Sequence, residues 1–125
     1  MKFIVDRSNW FRGQGNDKSR LLRKDGGRCC IGFVGQQCQV SDGDMLDVAE
    51  ALQIDSAASI RKFPAWMQST TSGDLSKAYA INDEVIEHDN EGEVLGECEV
   101  QSESDREKQL QSLFAENGDE IEFIN

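Results

Sequence analysis

The sequence predicts one α+β domain: a small antiparallel sheet containing the paired N- and C-terminal strands, covered by three or four helices. Three observations lead there. Short apolar runs stand near both ends, at 2–5 and 121–124, and neither has a hairpin partner close in sequence. Between them, apolar residues recur at helical spacing in several short segments. No composition shift resembles a linker, so residues 1–125 read as a single domain, long enough to bury a core.

The elements follow in order. Lys2 to Val5 reads as a strand, with Phe3 and Val5 on one face and Ile4 on the other. Asp6 or Ser8 is placed to cap a short helix holding Trp10 and Phe11. That helix ends in Gly13-Gln14-Gly15-Asn16-Asp17, which is turn composition throughout. Residues 19–23 read as extended, before a turn at Lys24-Asp25-Gly26-Gly27. The densest apolar segment runs from Cys29 to Cys38. Ile31, Val34 and Cys38 fall at i, i+3 and i+7, with Cys30 and Phe33 beside them, which predicts a buried helix. Gly32 and Gly35 weaken it by roughly 1 kcal/mol each. Close approach of another element is the expected compensation, and a buried strand is the competing reading.

Ser41-Asp42-Gly43-Asp44 looks like a helix start, with Met45, Val48, Ala49 and Leu52 at helical spacing behind it. Pro64 predicts a helix boundary near Phe63. Asp74-Leu75-Ser76-Lys77 starts another short helix through Ala78, Tyr79 and Ile81, reaching Asn82-Asp83-Glu84. Residues 87–103 alternate in part, at Val94, Cys98 and Val100, and read as a hairpin or a loop. A third strand is expected from 19–23 or 94–100. The last helix is the clearest: Ser104 and Glu107 form a capping-box pattern, Leu110, Leu113 and Phe114 make the buried stripe, and Asn117-Gly118 is a stop. Ile121 to Ile124 then reads as the second terminal strand. Pairing of the two ends would place Lys2 near Glu120 or Glu122.

Charge is divided by position. Residues 1–28 carry eight Lys/Arg against three Asp, and residues 82–125 carry fifteen Asp/Glu against Arg106 and Lys108. The ends stand near +5 and −13 within a net charge of −11. Either the ends neutralise each other within the fold, or the acidic end is displayed to a basic partner.

Few residues point to chemistry. Cys29, Cys30, Cys38, Cys98 and His88 are possible metal ligands, but their spacing lacks the paired knuckles of a zinc site. Free Cys as a small buried hydrophobe is the plainer reading, so no metal and no cofactor are expected. Asp42, Asp44 and Asp47, or Asp89, Glu91 and Glu93, lack the glycine and glutamate that complete a calcium loop. Cys29 or Cys30 beside Arg28 at a helix start is the one sharp enzymatic idea. The local sequence supplies no base, and a non-enzymatic protein is expected. Gly13-Gln14-Gly15, Gly26-Gly27-Arg28 and the cations Lys18, Arg20, Arg23 and Lys24 could touch phosphates. They lack the context of a phosphate-binding loop, and a chain at −11 repels a polyanion.

No apolar run reaches the length of a membrane span. The first ten residues carry an apolar stretch of only three before Asp6, unlike a signal or transit peptide. A cytoplasmic location is expected, with the cysteines as reduced thiols.

Several short segments carry a resemblance when taken together. They are Leu21-Leu22, Asp25-Gly26, Cys29-Cys30-Ile31-Gly32-Phe33 with Cys38, and Asn82-Asp83-Glu84. The rest are Arg106-Glu107, Leu110, Leu113-Phe114, Gly118 and Phe123-Ile124. The combination resembles small uncharacterised proteins encoded by bacteriophages, prophages and their bacterial hosts, with a CC-[LI]-G-F…C segment. Gln39 stands where that pattern would put glycine, so the helix end is expected to differ. The resemblance implies an origin in mobile DNA or its host, and no catalytic residues.

The leading expectation is a non-enzymatic phage- or prophage-type accessory protein that binds a host protein through an acidic surface, with nucleic-acid-binding host proteins among the targets it suits. Glu91, Glu93, Glu97 and Glu99 are its candidate contact residues. The alternatives are a small thiol-dependent enzyme or regulator using Cys29 or Cys30, and a weak nucleic-acid binder through the basic N-terminal third.

Overall fold

A computed structural model of the chain describes residues 1–12, 19–68, 73–84, 100 and 102–125. Two strands and five helices lie among them: β1 (Lys2–Asp6), α1 (Cys30–Gln37), α2 (Asp42–Met45), α3 (Ala57–Ile60), α4 (Asp74–Asp83), α5 (Glu103–Glu116) and β2 (Glu120–Ile124).

The terminal strands pair as expected, but in the opposite sense. β1 and β2 are parallel, in register from Lys2 opposite Glu120 to Asp6 opposite Ile124. The expected antiparallel sheet is therefore wrong. A parallel pair needs a crossover between its strands, usually a helix. Here nearly the whole chain intervenes, and α5 leads directly into β2. The third strand expected at 19–23 reduces to one bridge between Leu22 and Leu46. Residues 94–99 lie outside the described residues.

Alternation places Phe3, Val5, Ile121 and Phe123 inward and Lys2, Glu120 and Glu122 outward. Lys2 Nζ lies 2.9 Å from Glu122. The outer side of β1 is closed by a side chain. Ile4 N–H donates to Gln37 Oε1 at 2.8 Å, and Gln37 Nε2 donates to Ile4 O at 2.7 Å. The amide of Gln37 thus takes the place a neighbouring strand would fill.

α1 is the centre of the core, buried from Cys30 through Gly35. Both glycines answer to close approach. A Cβ on Gly32 would stand 2.0 Å from Leu21 O, and one on Gly35 would stand 2.6 Å from Met45 Sδ. The helix ends in a left-handed turn at Gln39, φ 67°. Gln39 N–H donates to Gln36 O and Val40 N–H to Gly35 O, which satisfies two carbonyls of the last turn. Gln39 thus adopts the conformation for which glycine is the preferred residue. Cys38, expected on the buried stripe, is only half-buried.

Other boundaries move for identifiable reasons. Asp6 accepts from Ser8 N–H, but the turn it caps is the 3₁₀ turn Arg7–Asn9, and Trp10 and Phe11 lie beyond it. Ser41 caps α2 as expected, yet α2 stops at Met45. Leu46 is extended and Asp47 has φ 59°, so Val48 is redirected to accept from Leu21 N–H. α3 ends before Pro64, which opens the 3₁₀ turn Ala65–Met67. Ser102, not Ser104, caps α5 and accepts from Asp105 N–H at 3.0 Å. Ser102 matches the cap pattern equally well, and Glu107 bonds to Arg7 instead of closing a capping box. Phe114 is core, edge-on to Phe3 at 6.2 Å and to Trp66 at 5.1 Å.

Candidate functional site

Glu91, Glu93, Glu97 and Glu99, the expected contact residues, lie outside the described residues, as do His88 and Cys98. The geometry that can be built surrounds them in sequence: α4 on one side, α5 on the other, and the basic N-terminal segment against both.

The N-terminal cations face carboxylates from the C-terminal third. Arg7 makes a two-pronged pair with Glu107, both bonds at 2.8 Å. Arg12 donates to Glu103 at 2.6 Å while stacking on Trp10 at 4.2 Å. The N-terminal ammonium lies 3.1 Å from Asp119. With Lys2 and Glu122, these contacts form a clasp of opposite charge between the two ends of the chain. Burial raises the carboxyl of Glu103, but the Arg12 hydrogen bond and the charges of Arg106 and Arg12 outweigh it and hold it below its ordinary range.

Beneath the clasp lies a polar joint centred on Asn82, which is fully buried. Asn82 Oδ1 accepts from Trp10 Nε1 at 2.6 Å and from Cys30 N–H at 2.9 Å. The second bond satisfies a donor at the start of α1, where Cys29 offers no side-chain cap. Asn82 Nδ2 donates to Phe11 O at 3.1 Å and Asp83 Oδ1 at 2.9 Å, and Asp83 accepts in turn from Ser19 Oγ. Arg106, with 1% exposure, completes the arrangement from α5. Its Nε donates to Ile81 O at 3.1 Å, and its Nη atoms reach Glu84 O and Glu103. A cation there complements the carbonyl end of α4. The segments Cys29-Cys30, Asn82-Asp83-Glu84 and Arg106-Glu107, far apart in sequence, thus meet in one place.

Sequence reasoning missed Asn82 and Arg106 as organising residues. A signal was present. Asn82 follows Leu75 and Ala78 on the buried stripe of α4, and Arg106 precedes Leu110 and Leu113 on that of α5. A polar residue on an apolar stripe is the informative exception.

The thiols are placed for packing. Cys29 and Cys30 are fully buried. Burial pushes the Cys29 thiol up to about 12 and the Cys30 thiol well above its ordinary value. A nucleophilic cysteine needs the reverse, an exposed site that favours thiolate. Arg28 is engaged elsewhere: its Nη2 donates to Asp42 at 2.8 Å. Among the described residues no group of three or more His, Cys, Asp or Glu could hold a metal ion, and no helix is long and apolar enough to cross a membrane.

Two hollows open on the described surface. One, about 300 Å³, is bounded by Ser8–Phe11, Asp25 and Gly27. The other, about 370 Å³, runs between α4 and α5 beside Lys77, Ile81, Lys108 and Leu113. Comparison with family models, with curated proteins and with solved structures finds no match.

Proposed function

We propose that this is a non-enzymatic, phage- or prophage-type accessory protein of the cytoplasm that binds a basic protein partner through its acidic 83–103 segment. Glu91, Glu93, Glu97 and Glu99 are the contact residues of this reading, and a nucleic-acid-binding host protein is a suitable target because closely spaced carboxylates imitate phosphates. One observation carries the reading. The cations Lys2, Arg7 and Arg12 already have partners on α5 and β2, while residues 85–99 hold six carboxylates and no Lys or Arg. Neutralisation within the fold therefore accounts for Glu103, Glu107 and Glu122 without calling on those six.

The alternatives have less support. A thiol mechanism would require buried Cys29 or Cys30 to be reached and ionised. A phosphate-binding role for the basic third would compete with its existing ion pairs and with the net charge.

The test is affinity capture with the protein and with its Glu91→Gln/Glu93→Gln/Glu97→Gln/Glu99→Gln variant. A partner is expected that is retained by the first, lost by the second and released as salt shortens the screening length from roughly 10 Å at 0.1 M to 3 Å at 1 M. A partner retained equally by both proteins and at both salt concentrations would remove the acidic-segment reading.

A further inference from the structure

We propose that the outer edge of β2 accepts an extended segment of a partner protein that carries Lys or Arg at alternate positions. This proposal does not rest on the role of residues 83–103. A two-stranded sheet has two outer edges, and here they differ. The edge of β1 is occupied by Gln37, which takes both backbone groups of Ile4. The edge of β2 has no such cover among the described residues.

The direction of its backbone groups follows from the register. Backbone groups of successive strand residues point to opposite sides. Glu120 N–H turns toward β1 and donates to Met1 O at 2.8 Å. Parallel pairing then turns Glu122 and Ile124 the same way. Ile121 and Phe123 consequently turn their N–H and C=O outward, and no described residue hydrogen-bonds to those four groups. Such an edge is a template for strand addition.

The side chains beside the edge define what it fits. Glu120, Glu122 and Ile124 project on the exposed face at alternate positions, while Ile121 and Phe123 are buried beneath them. An added strand would set its own alternate residues beside this acid, acid, apolar row. Basic, basic and apolar residues complement it, since opposite charges across strands attract and like charges repel. A second copy of β2 would bring carboxylates against carboxylates on a protein of net charge −11, so self-pairing is disfavoured. Lys2 leaves the row acidic, because one cation faces both Glu120 and Glu122.

The experiment is amide hydrogen exchange on the whole protein, followed residue by residue by NMR. The probes are a short synthetic peptide alternating Lys and Val and the same peptide with Glu for Lys. In the free protein, Ile121 and Phe123 amides should exchange faster than those of Glu122 and Ile124. The Lys peptide should slow Ile121 and Phe123 by about tenfold or more, and the Glu peptide should not. Glu120→Lys, an exposed change, should abolish the slowing while leaving the rest of the spectrum intact. Several outcomes would overturn the proposal: protection of both amides in the free protein, protection that rises with protein concentration alone, or equal response to both peptides. A Lys peptide that perturbs residues 83–103 but not Ile121 and Phe123 would also overturn it, while leaving the acidic-segment reading standing.

Discussion

The joint at Asn82 and the clasp between the chain ends are both polar, and both tie down the N-terminal segment, the joint to α4 and the clasp to α5 and β2. They differ in burial. Asn82 and Arg106 are almost without solvent contact, whereas Lys2, Glu103 and Glu122 have side chains about half exposed. An exposed ion pair exchanges one solvated state for another and gains little. A buried hydrogen-bonding group left without a partner bears its full desolvation cost. The joint should therefore specify the fold, and the clasp should tune it. Their titrations point the same way. The buried groups near the joint are held neutral, since desolvation raises Cys29, Cys30 and Tyr79. The carboxyl of Glu103 in the clasp is held charged. The first region should fail in base and the second in acid.

The largest effect is expected where α1 meets the backbone. Gly32→Ala would place a methyl group 2.0 Å from Leu21 O, which is backbone and cannot swing aside. A loss of more than about 4 kcal/mol is expected, in the exceptional class for one substitution. Denaturant titration against wild type measures it, and a loss below about 1 kcal/mol would mean that the helix and the 19–23 segment are not in contact.

Base should act on the same region. Cys29 moves from an ordinary 9.0 to about 12 on burial. A raised value leaves stability whole below pH 9 and removes it as pH rises toward 12. At 1.36 kcal/mol per pH unit the thiol's share is roughly 4 kcal/mol. Thermal melts between pH 7 and pH 11 should fall steeply above pH 9, and a Cys29→Ala variant should fall less steeply. Parallel curves for the two proteins would show that Cys29 is not the titrating group.

Much of this arrangement was legible in sequence, and what was not has a common cause. α5 is legible in its stripe and its Asn117-Gly118 stop, and α1 in Ile31, Val34 and Phe33, because both signals are local. The pairing of the ends is legible because neither strand has another partner nearby in sequence. Its direction is not, because strand direction depends on the path of the chain between them. Local pattern also misled where two residues were equally suited, as with Ser102 and Ser104. It misled again where a tertiary contact overrode helical spacing, as when Val48 bonds to Leu21. For the site, the sequence pointed to the charge division that the clasp displays in part. It marked Asn82 only as a polar residue on the apolar stripe of α4, and the role of that residue comes from partners far away in sequence.

Within the joint, Asn82→Ala should leave the Trp10 indole N–H and the Cys30 N–H without an acceptor. Each orphaned donor costs about 1–3 kcal/mol, so a total of about 2–6 kcal/mol is expected, toward the lower end if water enters. The indole is a reporter as well as a partner. Its NMR proton should shift strongly and exchange faster in the variant. A stable variant with an unmoved indole signal would transfer the organising role from Asn82 to the surrounding apolar packing.

The clasp should give the smallest and most conditional effect. Arg12 and Glu103 are the best pair to test, since both can be made neutral without disturbing β1. Glu103 is half exposed, so solvent screens much of the attraction. A double-mutant cycle with Arg12→Gln and Glu103→Gln should return about 0.2–1 kcal/mol of coupling at low salt and almost none at 1 M. The acid limb gives the sign independently. A carboxyl held below its ordinary 4.5 supplies stability above that pH and loses it as pH falls through the lowered folded value. Wild type should therefore lose stability below about pH 4.5 faster than Glu103→Gln. Because Glu103 also meets buried Arg106, the single Glu103 change should cost more than the single Arg12 change. Equal losses would confine Glu103 to the surface pair. A coupling that survives 1 M salt would place the clasp in the same energetic class as the joint and erase the distinction between them.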